Sequence, residues 1–200
     1  MFCYWTSSSF VCKLTTIMKE EDFIFIQEYL GGDDKSFDLL VKKYLKPAYN
    51  FSYHLCRDEK TAEDSTQDSF LKMWKNLKLY KKHTSFKTWF FTIVRNTTID
   101  YMRKKKNLVF SDFDTEEGNI LEDTLSDKSL LPDKVFENKE NIIRLGEVIG
   151  NLPIFYREVL LLHYMEEMSL EEISIALGRP LNTIKSQHKR ALFRLKEAFL

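Results

Sequence analysis

The sequence predicts an all-α protein: two small helical domains, an N-terminal helical bundle and a C-terminal helix-turn-helix, joined by an acidic linker. Three observations predict it. The apolar periodicity is helical almost throughout, with only six Gly and four Pro in 200 residues and no convincing alternating run of β-branched residues. Charge is segregated although the formal net charge is zero: residues 107–140 hold ten Asp/Glu against three Lys/Arg, a local −7, which leaves +7 for the rest. From Ser169 onward the chain reads as a helix, a tight turn and a second, basic helix. The implied boundaries are an N-terminal extension (1–18), a first domain (19–106), the linker (107–134) and a second domain (135–200).

Residues 1–17 are Ser/Thr-rich and aperiodic. They read either as a disordered extension or as sequence upstream of a true start at Met18. They lack a basic n-region and a convincing cleavage site, so they are a poor signal peptide. Residues 19–30 predict a helix with Phe23, Ile26 and Leu30 on one face, broken by Gly31-Gly32-Asp33-Asp34. Residues 35–56 predict a second, with Phe37, Leu40, Val41, Tyr44 and Leu45 inward and a kink or restart at Pro47. Asp58 opens a third helix to about Leu77, with Thr66, Phe70, Met73, Trp74 and Leu77 as its apolar stripe. After a short loop, Lys78–Thr84, Ser85 can cap a fourth helix to about Lys106, with Phe86, Trp89, Phe90, Ile93 and Thr97 inward.

No helical period returns until about Lys134. Val135–Ile149 is then helical, with Ile142, Leu145, Val148 and Ile149 as its stripe, and Gly150-Asn151 ends it. Pro153 starts the next helix, carrying Val159, Leu160, Leu161, Leu162 and Tyr164. Ser169 and Glu172 have the spacing of a capping box, Ile173, Ala176 and Leu177 recur at helical spacing, and Gly178 suits a left-handed helix end. The last helix buries Ile184, Ala191, Leu192 and Leu195 and leaves Lys185, Ser186, Gln187, Lys189 and Arg190 on other faces. That is the layout of a helix-turn-helix that lays its second helix in the DNA major groove.

Several function classes fall away. Cys3, Cys12 and Cys56 have no paired or ligand spacing and fit a reducing cytoplasm. His54, His83, His163 and His188 are scattered, so neither a metal site nor a cofactor is predicted. No nucleophile–base constellation points to an enzyme or a small-molecule substrate. No apolar run is long enough to insert in a membrane.

Two further faces carry function. On the third helix Asp64, Gln67, Asp68 and Leu71 share one side at i, i+3, i+4 and i+7. Acidic residues near a helix N-terminus are favoured by its dipole anyway, and the alternative is a docking face for a protein partner. The fourth helix has more aromatics than one buried stripe needs. Phe91 falls off its inward face, near Thr88, Arg95 and Asn96, and the helix ends in Arg103-Lys104-Lys105-Lys106. Rings that stack on bases and cations that track phosphates suit single-stranded DNA. In the last helix Lys185, Lys189 and Arg190 suit phosphates or bases, and Ser186 and Gln187 suit base edges.

In order, four stretches resemble the sigma-70 class of bacterial RNA polymerase sigma factors, above all its small extracytoplasmic-function group. They are Ala62-Glu63-Asp64 … Gln67-Asp68 … Phe70; Phe86-Lys87-Thr88-Trp89-Phe90 … Arg95-Asn96 … Asp100-Tyr101 … Arg103-Lys104; Leu152-Pro153 … Arg157-Glu158-Val159; and Ser169-Leu170-Glu171-Glu172-Ile173 … Thr183-Ile184-Lys185-Ser186 … Arg190-Ala191. The resemblance covers about residues 20–106 and 140–200. It implies a cytoplasmic promoter-specificity subunit. The Asp64, Gln67, Asp68 and Leu71 face would dock on the clamp coiled coil of core RNA polymerase. The Leu79–Thr84 loop would capture a flipped base of the −10 element, which Phe91, Arg95, Asn96, Arg103 and Lys104 would melt and read. Thr183, Lys185, Ser186, Gln187, Lys189 and Arg190 would read the −35 duplex, and Leu195 and Phe199 would meet the polymerase flap. It also implies an anti-sigma factor as partner. Three positions depart from the pattern: Gln187 for a common Arg, Glu167 for a frequent Gly and His188 for an apolar residue. The alternative is a dimeric helix-turn-helix regulator that binds duplex DNA without polymerase.

Overall fold

The computed structural model describes residues 21–81, 84–105 and 139–199, and these residues are almost entirely helical. The extension and the acidic linker lie outside the described residues. Eight helices follow in order: α1 (21–30), α2 (Asp34–Cys56), α3 (Glu59–Asn76, continued by a 3-10 turn Leu77–Leu79), α4 (Phe86–Lys105), α5 (Lys139–Asn151), α6 (Ile154–Leu160, continued by a π-turn Leu161–Met165), α7 (Leu170–Leu177) and α8 (Leu181–Phe199).

Local chemistry sets the boundaries. Asp33 and Asp58 cap α2 and α3, accepting from the Lys35 and Thr61 amides at 3.1 and 2.9 Å. Ser85 caps α4 as its sequence position predicts, its Oγ accepting from the Thr88 amide at 3.2 Å. Pro47 lies inside an unbroken α2, so the predicted restart does not occur. The missing amide costs one hydrogen bond, and the helix is held by its packing on both α3 and α4.

The N-terminal unit packs α3 against α2 and α4. Phe51, Leu55, Met73, Leu77, Phe86, Phe90, Phe91 and Val94 lie in its core. Small buried hydroxyl residues meet between the three helices: Ser52 Oγ and Thr98 Oγ1 are 3.0 Å apart, and Thr98 also donates to Ser65 Oγ at 3.4 Å. On α1, buried Asp22 accepts from Tyr44 at 2.5 Å and from Lys43 at 2.7 Å. The C-terminal unit packs α6 on α8 around Leu152, Tyr156, Leu160, Ala191 and Leu195, with Leu145 and Val148 of α5 alongside.

Three residues of predicted apolar faces, Leu30, Leu45 and Trp74, are exposed instead, and so is Tyr164. The Trp74 indole N–H donates to the Tyr29 hydroxyl at 2.7 Å, so its stripe position is used at the rim. Tyr164 sits in the π-turn, whose extra residue per turn rotates it off the α6 stripe.

The two units also pack on each other. One continuous cluster joins Phe86, Phe90 and Val94 of α4 to Leu161, Leu162, Met168 and Ile173. The Arg157 guanidinium donates to the Leu55 carbonyl at the end of α2 at 2.7 Å, and to the Ile149, Gly150 and Leu152 carbonyls around the end of α5.

Candidate nucleic-acid and protein interfaces

The helix-turn-helix is built as its sequence predicts. Ser169 Oγ accepts from the Glu172 amide and the Glu172 carboxylate accepts from the Ser169 amide, both at 3.1 Å. Gly178 ends α7 at φ 64, and its amide and that of Arg179 return to the Ile175 and Ser174 carbonyls. Pro180 then accepts the first bond of α8, from the Ile184 amide. Glu167, just before this motif, has φ 52. That is the left-handed conformation a glycine would adopt without strain.

Ile184, Ala191 and Leu195 anchor α8, so Thr183, Lys185, Ser186, Lys189 and Arg190 are all exposed on its remaining surface. Gln187 departs from the other predicted readers: it is half-buried and its Oε1 accepts from Arg179 at 3.3 Å. His188 packs against its own unit, its ring 4.8 Å from His163 and stacked on Tyr164 at 5.7 Å. Burial, with His163 beside it, holds His188 below the usual imidazole range. Leu195 is buried and is therefore removed from the predicted flap contact, whereas Phe193 is exposed. The Phe199 side chain lies outside the described residues.

On α4 the predicted readers separate. Asn96, Arg103 and Lys104 are exposed toward its C-terminal end. Arg103 lies 4.0 Å from Asp100, and the Lys104 ammonium is 5.6 Å from the Tyr101 ring. Phe91 is a correction: it is fully buried, edge-to-face with Phe51 at 5.6 Å. The helical wheel leaves it outside one stripe, but α4 is packed by α2 and α3 and also by α7. Arg95 is half-buried, its Nε 2.7 Å from Glu158 Oε2, while its Nη1 donates to Asn96 Oδ1 at 3.0 Å.

Glu158 was not legible as a functional residue. It is wholly buried on α6, and its Oε1 also takes the Arg179 guanidinium at 2.7 Å. Next along the chain, Glu166 is 4 % exposed. Lys87 lies 3.5 Å from its carboxylate and donates to its main-chain carbonyl, and burial pushes the carboxyl above the usual range.

On α3, Asp64, Gln67 and Leu71 are exposed along one face, and Asp68 is half-exposed with Lys72 at 3.2 Å. Leu79 is exposed at the end of the 3-10 turn, and just beyond it the Tyr80 hydroxyl donates to the Thr84 carbonyl at 2.8 Å. Lys82 and His83 lie outside the described residues. Among the described residues no three His, Cys, Asp or Glu side chains gather as a metal site, and no helix is long and apolar enough to cross a membrane.

A capped helix-turn-helix beside an aromatic-rich helix with a basic end defines a class. The family model Sigma-70 region 2 matches residues 40–108, and Sigma-70, region 4 matches residues 142–195. The chain belongs to the extracytoplasmic-function (ECF) group of sigma-70 factors, which direct promoter-specific transcription initiation with RNA polymerase. It is 29 % identical to the ECF RNA polymerase sigma factor SigW of Bacillus subtilis, over 86 % of this chain and 93 % of the relative. It is 25 % identical to SigX of the same organism, over 82 % and 84 %. Its fold matches the sigma factor RpoE of Bartonella quintana, solved in complex with the anti-sigma factor NepR. The TM-score is 0.63 at 25 % identity, covering 82 % of this chain and 97 % of that one. These relatives are sigma factors, not enzymes.

Proposed function

We propose that the two units divide promoter recognition between them. In the C-terminal unit, Thr183, Lys185, Ser186, Lys189 and Arg190 of α8 bind the −35 duplex, and Gln187 acts at the edge of this face by orienting Arg179. In the N-terminal unit, Asn96, Arg95, Arg103 and Lys104 bind the single-stranded −10 element. The buried Phe91 supports this helix from beneath and makes no base contact. Strand opening is then driven by differential binding to the separated strands. The Asp64, Gln67, Asp68 and Leu71 face of α3 docks the polymerase clamp, and Phe193 belongs to the surface offered to the flap. The protein works in the cytoplasm, where an anti-sigma factor restrains it as NepR pairs with its own sigma factor.

The observation that carries this reading is the exposed basic face of α8 on a fully capped helix-turn-helix, in one chain with the basic end of α4. Run-off transcription with purified core polymerase on a library of randomised promoters tests it. Initiation only in the presence of this protein, from templates sharing two spaced motifs, is the expected result. Binding to a palindromic duplex without polymerase, and no initiation, would instead identify a dimeric regulator.

A further inference from the structure

The turn of the helix-turn-helix sends one side chain onto the reading helix. Arg179 follows Gly178, and Ser174 pins its backbone twice: the Arg179 amide donates to the Ser174 carbonyl at 3.1 Å, and the Ser174 hydroxyl donates to the Arg179 carbonyl at 2.6 Å. Its guanidinium then has two partners within the C-terminal unit. Nη2 lies 2.7 Å from Oε1 of the wholly buried Glu158, and Nη1 donates to Gln187 Oε1 at 3.3 Å. A buried carboxylate is costly unless it is paired, so Glu158 holds the guanidinium in place. A guanidinium has donors only, so the Gln187 amide must turn its oxygen toward Arg179. The amide nitrogen is the end left over, and among the described residues it has no hydrogen-bond partner. Gln187 is only half-buried and stands next to exposed Ser186 on α8. A free glutamine offers one donor and one acceptor, which match the N7 acceptor and N6 donor of adenine. With its oxygen taken it offers donors alone, and these match the N7 and O6 acceptors of guanine. The second contact to adenine then sets donor against donor.

We propose that Arg179 is a positioning residue for −35 specificity: held by Glu158, it locks Gln187 as a donor-only reader that selects guanine over adenine at one position of the −35 element. This goes beyond, and rests on, the reading of α8 as the −35 helix. It also gives a physical sense to the departure at 187, where an arginine is common. Arginine presents donors only, and a glutamine locked by Arg179 presents donors only as well, without a charge of its own. Fixing the amide before DNA arrives lowers the cost of ordering it on binding.

The test uses the full chain assembled with core polymerase. Binding selections on promoter duplexes randomised through the −35 element compare the wild type with Gln187→Ala, Arg179→Met, and Arg179→Met with Glu158→Gln. Gln187→Ala marks the position, as the one base pair whose preference falls away. There the wild type is expected to favour guanine over adenine about tenfold, within the range of one bidentate contact. Arg179→Met frees Oε1 and is expected to reverse that preference to adenine, with the other positions unchanged. A purely structural Arg179 would instead weaken binding to all sequences alike. Arg179→Met takes a partner from a buried carboxylate, whereas the double variant removes the charge with its partner and decides the matter if the single variant fails to fold by circular dichroism. Guanine retained in the folded Arg179 variants, adenine preferred by the wild type, or no position-specific loss in Gln187→Ala overturns the proposal. A shared −35 motif with any of these results leaves the −35 assignment standing, while no enriched motif from any of the four proteins sinks that assignment and the Arg179 lock with it.

Discussion

Glu167 and Phe91 show how single side chains are constrained by what surrounds them. Glu167 holds φ 52, a conformation that costs an L-residue about 1–2 kcal/mol, part of which glycine would lose again through its freer unfolded chain. Glu167→Gly is therefore expected to stabilise the chain by roughly 0.5 kcal/mol, read as a higher urea midpoint at unchanged m-value. An unchanged or lower midpoint would count against strain at this turn. Phe91→Ala opens a cavity beneath Phe51 and Phe90 and is expected to cost about 3–5 kcal/mol of stability. Asn96→Ala, on the exposed surface, leaves the melting temperature nearly unchanged and weakens binding of a −10 single strand in anisotropy. The reverse pattern would restore Phe91 as a base-stacking residue. A helical wheel places Phe91 outside one stripe because it assumes one packed face, and α4 has neighbours on several. Glu158 was illegible for a related reason: its partner Arg95 lies 63 positions away, and nothing local marks a glutamate as buried.

At the scale of the element, boundaries were legible because they are written in local chemistry. Ser85 and Ser169 cap as their positions predict, Asp33 and Asp58 cap at the predicted break and helix start, and Gly178 ends α7 in the left-handed conformation. At Pro47 the predicted restart does not occur, because the local penalty is overridden by the packing of α2 on its neighbours. Exposed faces then separate by function. Lys185→Ala with Arg190→Ala is expected to weaken −35 duplex binding tenfold or more, since each phosphate or base contact contributes on the order of 1–3 kcal/mol, and to leave core-polymerase affinity intact. Asp64→Ala with Gln67→Ala should do the opposite, and equal loss of both activities in either folded variant would sink that division.

Another property of α8 belongs to its contact with the π-turn. His188 lies against His163 and Tyr164, and its Nε2 is 3.2 Å from the Tyr164 hydroxyl. Its folded pKa lies below the ordinary 6.5, so between the two values the unfolded chain binds more protons. The stability this neutral ring contributes is fully present above 6.5 and is lost as the pH falls toward the folded value. His54 is lowered by burial and by Arg57, and it adds a slope of the same sign. Melting temperatures of wild type and of His188→Leu, compared from pH 7.5 to pH 5.5, isolate the α8 share. A smaller acid loss in the variant is the expected result, and parallel curves would exclude His188 as the titrating group.

Over the whole molecule, the sequence predicts two helical units, and the contact between them was not legible in it. Periodicity predicts which face of a helix is apolar but not whether a helix 60 residues away covers it. The guanidinium of Arg157 joins the units most directly, because it serves the carbonyl ends of α2 and α5 at once. Helix-end carbonyls have no partner within their own helix, and a half-buried cation suits both their hydrogen-bonding need and the negative end of the dipole. Burial lowers the Arg157 pKa, yet the group remains charged at neutral pH because a guanidinium ordinarily titrates so far above neutrality. Its hydrogen bonds from a charged donor contribute on the order of 1.5–3 kcal/mol each when judged singly. Removing them together leaves several partly buried carbonyls without a donor. With Arg157 in place the units should melt as one cooperative transition, since neither can unfold without breaking a contact the other needs. Arg157→Ala should cost several kcal/mol and split the calorimetric trace into two transitions, whereas Arg157→Lys, with one ammonium in place of a fork, should lower the melting temperature less and keep a single peak. Two transitions in the wild-type protein would mean that neither the guanidinium nor the contacts of α4 with Leu161, Leu162 and Met168 couple the unfolding of the two units.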